Sequence, residues 1–349
     1  MLVAGRLVQG VGGSCIMSVS AALVRQIYPH HRLGQGLAIN ALVIAFGFAV
    51  SPGVSSAILY VSNWRWLFLF NIPYALVLLV PIAKYVPLKI ISQARINFLP
   101  LALTALFLGG ALSTVDLLTH GGQSFASVGI LLVTLAAVIV LLRIERGTEN
   151  PVLPLDLVAN TNFLAALLVC FMGYVTANFF MVSIPFTLTT YFHRTMVQSG
   201  FLITFWPLGM VIAGPVVARL ADRVQAGFLS SCGLAVVSVG FFSLYCLPQN
   251  ASTVSLCLLF GLSGIGFSCF VSPNNKAMMV AAPLHRSASA SAMVSVGRIM
   301  GQSVGAACVA YVLRTYTVEQ GGHDCLLIGV ATAWVGTAIS LARLKIRKK

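Results

Sequence analysis

The chain has 349 residues, of which 58% are hydrophobic and only 8% charged. Soluble globular domains carry roughly 25% charged residues, because a water-facing surface has to be covered. This composition therefore excludes a cytoplasmic enzyme, a secreted disulfide scaffold and a disordered regulator. The 21 basic and 7 acidic residues leave a net charge of +14, which points to nucleic acid only if the charges cluster on one exposed face.

In chain order, eleven apolar runs cover roughly residues 3–24, 35–59, 65–86, 97–116, 125–143, 162–186, 199–221, 227–247, 254–275, 289–312 and 326–342. Each suits a helix crossing a bilayer core of about 30 Å. Pro81, Pro87 and Pro100 interrupt the pair between 65 and 116. The alternating segments of a barrel are missing, and a chain in lipid must satisfy its backbone internally, so the runs are read as helices. The predicted fold class is an all-α polytopic membrane protein.

One set of loops and helix ends holds sixteen of the basic residues: Arg25, Arg32, Lys84, Lys89, Arg95, Arg143, Arg146, Arg219, Arg223, Lys276, Arg286, Arg343, Lys345, Arg347, Lys348 and Lys349. The opposite set holds Arg65, Arg194 and Arg314, while Arg6 and Arg298 fall inside apolar runs. This bias predicts a cytoplasmic carboxyl terminus and, with eleven crossings, an outer amino terminus. It also reads the positive charge as an orientation signal, with no nucleic-acid partner. Met1 opens almost directly into a membrane helix, without the charged leader of a signal peptide. The eight cysteines form no C-x-x-C pair and the six histidines no ligand spacing, so no metal site is expected.

Shifting the chain by 254 residues aligns Gly10 with Gly264, Gly12 with Gly266, Ser14 with Ser268, Cys15 with Cys269 and Ser18 with Ser272. The same shift aligns Pro29 with Pro283, His31 with His285, Arg32 with Arg286, Ala38 with Ala292 and Gly47 with Gly301. The copies lie eight segments apart and so run the same way. Parallel repeats about an axis along the membrane normal mark one large transporter class, whose substrate site lies between the halves at the midplane. Arg6 and Gln9 face Phe260 and Ser263 in the other copy, so the polar version exists once.

These residues resemble the major facilitator superfamily, and within it the fourteen-helix drug:proton antiporters. The stretch Gly5-Arg6-Leu7-Val8-Gln9-Gly10-Val11-Gly12-Gly13 is similar to the family's fourth-helix motif. Gly47 with Ser51-Pro52-Gly53-Val54-Ser55-Ser56 resembles the fifth-helix antiporter signature, with serines where glycines are common. Trp64-Arg65-Trp66 to Asn71-Ile72-Pro73, Asn150-Pro151 and the degenerate loop Arg219-Leu220-Ala221-Asp222-Arg223 are further landmarks. The resemblance implies a superfamily transporter fold with about eleven helices present and the first three of fourteen missing, through amino-terminal truncation or a misplaced start. It divides the chain into a partial amino-terminal bundle at 1–96, two extra central helices and a linker at 97–160, and a six-helix carboxyl-terminal bundle at 161–349.

An arginine at bilayer depth costs at least about 2.5–3.5 kcal/mol, so it is retained with a partner or a function. Arg6, Gln9, Gly13 and Met17 share one helix face, which puts the charge on a stripe toward the bundle interior; snorkelling to the outer interface is the alternative. The resemblance implies a proton-coupling role for Arg6 with Gln9. No carboxylate lies deep in the runs, and Asp116, near an outer helix end, is the only rough substitute. Gly10 and Gly13, then Gly47, Ser51, Pro52 and Gly53, and in the second half Gly297, Gly301 and Gly305, give small faces for close helix packing, with a gating role for the proline-bearing copy. Asp222 and Arg223 are candidates for a charge latch bracing helix ends, with a plain loop ion pair as the alternative. Met172, Asn178, Phe179, Met181, Trp206 and Asn274 are candidate cavity residues, because aromatic and methionine walls suit varied amphipathic cations.

Together these readings predict a multi-pass inner-membrane carrier, not an enzyme, exporting amphipathic drugs, dyes or biocides by proton antiport with no cofactor beyond the proton gradient. Its expected partners are the bilayer, protons and a small amphipathic substrate; the sequence names neither a periplasmic adaptor nor an outer-membrane channel. A non-transporting remnant or scaffold, and an uptake carrier for one metabolite, are the alternatives.

Overall fold

The computed structural model describes residues 2–63, 65–85, 98–120, 124–145 and 154–346. Trp64, Pro87, Lys89, Arg95, Arg146, the Asn150-Pro151 linker and the last three residues lie outside the described residues. All described elements are helical: α1 (Leu2–Ile27), α2 (Leu33–Val61), α3 (Trp66–Leu69), α4 (Asn71–Tyr85), α5 (Phe98–His120), α6 (Ser124–Glu145), α7 (Leu155–Ala159), α8 (Thr161–Thr190), α9 (Met196–Ile203), α10 (Phe205–Arg223), α11 (Ala226–Tyr245), α12 (Thr253–Ala281), α13 (Ser287–Thr315) and α14 (Val318–Ile346). Short 3₁₀ turns at His30–Arg32 and Leu284–Arg286 precede α2 and α13. Among the described residues nine stretches are long and apolar enough to cross a membrane, and shorter apolar stretches, Leu33–Ile44 and Phe98–Ala111, belong to α2 and α5.

The eleven apolar runs map onto these helices in order, and the differences have local causes. The run at 65–86 breaks at Phe70 into α3 and α4. The run at 199–221 breaks at Thr204, where α10 restarts with Pro207 in its first turn, a position at which the missing N–H leaves no intrahelical bond unmade. Helix α14 starts at Val318, eight residues before its apolar run, because Glu319, His323 and Asp324 occupy its first turns. Hydrophobicity alone misses polar turns that a helix start accommodates. Side-chain caps fix other starts: the Asn160 side chain accepts from the backbone N–H groups of Asn162 and Phe163, and Thr195 forms a capping box with Gln198.

The repeat is reproduced in the backbone. Adding 254 to the ends of α1's last turn, its 3₁₀ turn and α2 (27, 30–32, 33–61) gives 281, 284–286 and 287–315, the bounds of their counterparts before and in α13. The two prolines ahead of the turns match as well, Pro29 at φ −63°, ψ 153° and Pro283 at φ −58°, ψ 154°. Packing follows the same exchange, since α2 packs on α12 and its counterpart α13 packs on α1. Two parallel copies related by an axis along the bundle is the arrangement this produces.

The best-packed region comprises α8 and α10–α14, with α2 laid against α10 and α12; α5 and α6 pair with each other, and α5 touches α13. An aromatic nucleus holds it together. Phe180 stacks on Trp206 at 4.6 Å and on Phe241 at 5.1 Å, and meets Phe260 edge-on at 5.0 Å, all four at most 3% exposed. Such pairs add roughly 0.5–1.5 kcal/mol each beyond burial.

Candidate functional site

Two polar features join the amino-terminal helices to the rest, and a glycine seam binds two helices of the carboxyl-terminal bundle to each other. The first is a polar latch at the basic end of the bundle. Asp222, at the end of α10, accepts the Gly34 backbone N–H at 3.0 Å and the Lys276 ammonium at 2.5 Å. Lys276, near the end of α12, also donates to the Ala221 carbonyl at 2.8 Å. One carboxylate therefore ties the first turn of α2, where the helix dipole is positive, to the ends of α10 and α12. Glycine at position 34 is what admits it, because an added β-carbon would collide with the Asp222 carboxylate. Arg223, on the same turn, is exposed.

Two further contacts brace this end. Buried Arg25 of α1 donates to the Ala282 carbonyl at 2.9 Å, placing a cation at the end of α12, and Arg286 pairs with Asp156 of α7 at 2.7 Å. Arg286 is 4% exposed and Asp156 53% exposed. Asp156→Asn leaves a buried guanidinium without that countercharge, and is expected to lower the unfolding temperature in detergent more than Arg286→Gln paired with it does; a thermal scan of single and double variants checks this.

The second feature is a glycine seam. A β-carbon added at Gly301 would lie 2.5 Å from the Phe171 carbonyl oxygen, at Gly305 2.8 Å from Asn178 Cβ, and at Gly297 2.8 Å from Leu167 Cδ1. Helix α13 thus lies backbone-to-backbone against α8. The opposite small face differs from expectation. Among the described residues, nothing lies within 4 Å of a β-carbon added at Gly10, Gly13 or Gly47, and Ser51 is exposed. Helix α2 packs through another face, with Leu42 against Gly214 and Gly34 against Asp222. Pro52 and Gly53 belong to α2, and their surroundings lie outside what the structure describes.

Arg6 and Gln9 lie on the exposed first turns of α1. They bond to each other at 3.0 Å, both are exposed, and the Arg6 guanidinium lies 4.9 Å from the centre of the Phe68 ring. The stretch from Gly5 to Ile16 is exposed throughout, whereas α1 packs through its later turns, where Ala22 and Arg25 are buried. In this structure the Arg6 side chain meets Gln9 and the Phe68 ring. Asp116 belongs to α5, and its side chain lies outside the described residues.

The predicted cavity residues are mostly packing residues. Trp206 sits in the aromatic nucleus, Phe179 packs with Val175, Val309 and Cys325, and Met181 borders the same nucleus. Asn178 donates to the Gln302 carbonyl; buried Asn274 donates to the Ala166 carbonyl at 2.9 Å and accepts from Arg343. Met172 lies against Gly336 of α14. In this arrangement Phe179 and Trp206 are engaged in packing. The cavity between α2, α10 and α12, lined by Ala38, Met210, Gly214 and Ser272 among others, has about 10 Å³, room for one water at most.

The third feature was not singled out in the sequence as a site. On α13, Ser291, Ser295, Arg298 and Gln302 recur at helical spacing and form one polar stripe. The Ser295 hydroxyl donates to the Met17 carbonyl of α1 at 3.4 Å, so the stripe faces the gap between the two helices. The seam that draws α13 onto α8 sets Gly297, next to Arg298, against Cys170, and Gly301 against Tyr174.

With parallel repeats, a latch across the halves and a polar midplane stripe in place, comparison with known proteins is decisive. The family profile described as Major Facilitator Superfamily matches residues 1–306. The chain belongs to this superfamily. It is therefore a multi-pass membrane transporter and not an enzyme. It is 34% identical to the uncharacterized transporter YebQ of Escherichia coli over 346 residues, covering 99% of this chain and 76% of that protein. It is 21% identical to the riboflavin transporter RibZ of Clostridioides difficile, covering 88% of this chain and 66% of that one, and 23% identical to the multidrug export protein EmrB of Haemophilus influenzae, covering 89% and 62%. Superfamily membership accounts for the parallel repeat and for seating the contacts between halves at helix ends.

Proposed function

We propose that the chain exports amphipathic drugs, dyes or biocides across the cell membrane by proton antiport and alternating access, in the manner of the fourteen-helix antiporters. The Asp222 latch carries this reading. It is a contact between the two halves made of one ion pair and one helix-end hydrogen bond, short enough in reach to break when the halves rock and re-form when they return. The lysine and arginine bias assigns the latch to the cytoplasmic side and the carboxyl terminus to the cytoplasm, so the latched form is closed inward. The name of EmrB supports multidrug export as the activity to test first.

Expression in an efflux-deficient bacterium tests it. Lower accumulation of ethidium and tetramethylrhodamine is expected, restored to the level of empty cells by a protonophore. Saturable inward accumulation of one compound, with no effect on either dye, would sink the export reading.

The latch itself gives a second expectation. Gly34→Ala inserts a methyl group at the Asp222 carboxylate, and is expected to cost about 1–3 kcal/mol and to slow dye export severalfold, read by thermal unfolding in detergent and by efflux rate.

A further inference from the structure

We propose that Arg25 is an opening spring: burying its guanidinium works against closure of the latched end, and so keeps the Asp222 latch from trapping the carrier in one state. This rests on the alternating access proposed above and concerns how its two states are balanced, whatever the substrate.

The latched end is closed by an apolar cluster drawn from both halves. Leu33 and Leu37 of α2 share it with Met278 and Met279 of α12 and with Ala282, all at most 3% exposed, and Val24 of α1 packs against it. Arg25 follows Val24 in the chain and is itself 9% exposed. Its guanidinium reaches the carbonyl of Ala282, a member of that cluster, at 2.9 Å. That bond braces α1 against the end of α12, but it engages one nitrogen. Nε and Nη1 are buried and have no hydrogen-bond partner among the described residues. A guanidinium carries five N–H donors, and donors on a charged group that are buried and left unmade cost free energy that water would restore.

The repeat supplies the apolar alternative. A shift of 254 residues sets Arg25 opposite Met279, which is fully buried in the same cluster. Each of the two residues precedes a matched proline and 3₁₀ turn, so this position in the fold accepts an unbranched apolar side chain, and the charged version exists in one copy. Replacing a buried ionic group by an apolar one of similar size is often neutral or stabilising. When the halves part at this end, water reaches the guanidinium and completes its hydrogen bonds. Arg25 therefore favours the open form, whereas the Asp222 latch favours the closed one, and their difference sets the populations.

The test uses the full chain purified in detergent without substrate and carrying Leu37→Cys, a position 2% exposed in the closed form. Alkylation by N-ethylmaleimide, read at that position by peptide mass spectrometry so that the native cysteines do not interfere, reports how often the end opens. Arg25→Met is expected to slow alkylation about fivefold, as the closed population rises, and to raise the unfolding temperature. Asp222→Ala is expected to speed alkylation, and the double variant to fall between the two. Arg25→Gln, neutral yet still able to donate to the Ala282 carbonyl, is expected to slow it as well, which separates the charge from that bond. Alkylation in Arg25→Met and Arg25→Gln as fast as with Arg25 in place, or faster, overturns the proposal and leaves Arg25 as a brace of the closed form. If Arg25→Met does not remain monodisperse, Arg25→Gln decides by the same reading. Because no substrate is present, the spring can fail while dye export stands, and slowed alkylation in a chain that exports neither dye removes the export reading alone.

Discussion

Asp222→Ala is expected to reduce dye export at least tenfold and to lower the stability of the detergent-solubilised chain by roughly 1–3 kcal/mol. The substitution leaves two groups without their acceptor, the Gly34 N–H and the Lys276 ammonium, each only partly reachable by water because both ionic side chains are 19% exposed. Asp222→Asn separates the two contributions: its amide oxygen still accepts from Gly34, whereas the charge facing Lys276 is gone, so an intermediate loss is expected. A double-mutant cycle with Lys276→Met should return a coupling of about 0.5–3 kcal/mol in stability. If Asp222→Ala and Lys276→Met add without coupling and export persists, the latch is a plain surface ion pair.

Gly301→Leu is expected to destabilise the protein by more than about 3 kcal/mol, beyond the usual cost of overpacking, seen as loss of the monodisperse peak in size-exclusion chromatography. The cause is backbone: even the first carbon of the new side chain falls 2.5 Å from the Phe171 carbonyl and 3.0 Å from Tyr174 Cβ, neither of which can rotate away. Gly47→Leu is the matched control. Gly47 is the counterpart of Gly301 in the repeat, and among the described residues nothing lies within 4 Å of a β-carbon added there, so a change within about 0.5 kcal/mol is expected.

What could be read from the sequence follows from which forces act locally. Apolar runs of bilayer length place the eleven helical segments, and identical prolines and arginines 254 positions apart place the two copies, because each signal is carried by contiguous stretches of sequence and needs no tertiary contact to be read. The Gly34–Asp222–Lys276 contact was half legible. Asp222 stood out as a lone acid near a helix end, but neither of its partners did, since a glycine chosen for the room it leaves and a lysine 54 residues away carry no mark of their meeting. The packing of the candidate cavity residues was illegible for a related reason. Phe179 and Trp206 are aromatic whether they line a cleft or fill a core, and only tertiary packing decides which. Arg6 was read as facing the interior from its stripe with Gln9 and Gly13; a helical stripe says which residues share a face and nothing about what that face meets, and its contacts with Gln9 and the Phe68 ring appear only in the structure.

Reconstitution into liposomes with an imposed pH gradient tests most directly whether this chain couples proton movement to export. Tetramethylrhodamine flux should follow the gradient, collapse with a protonophore and fall at least tenfold in Asp222→Ala. Flux equal to that of protein-free liposomes, or flux indifferent to the gradient and to Asp222→Ala, would contradict it.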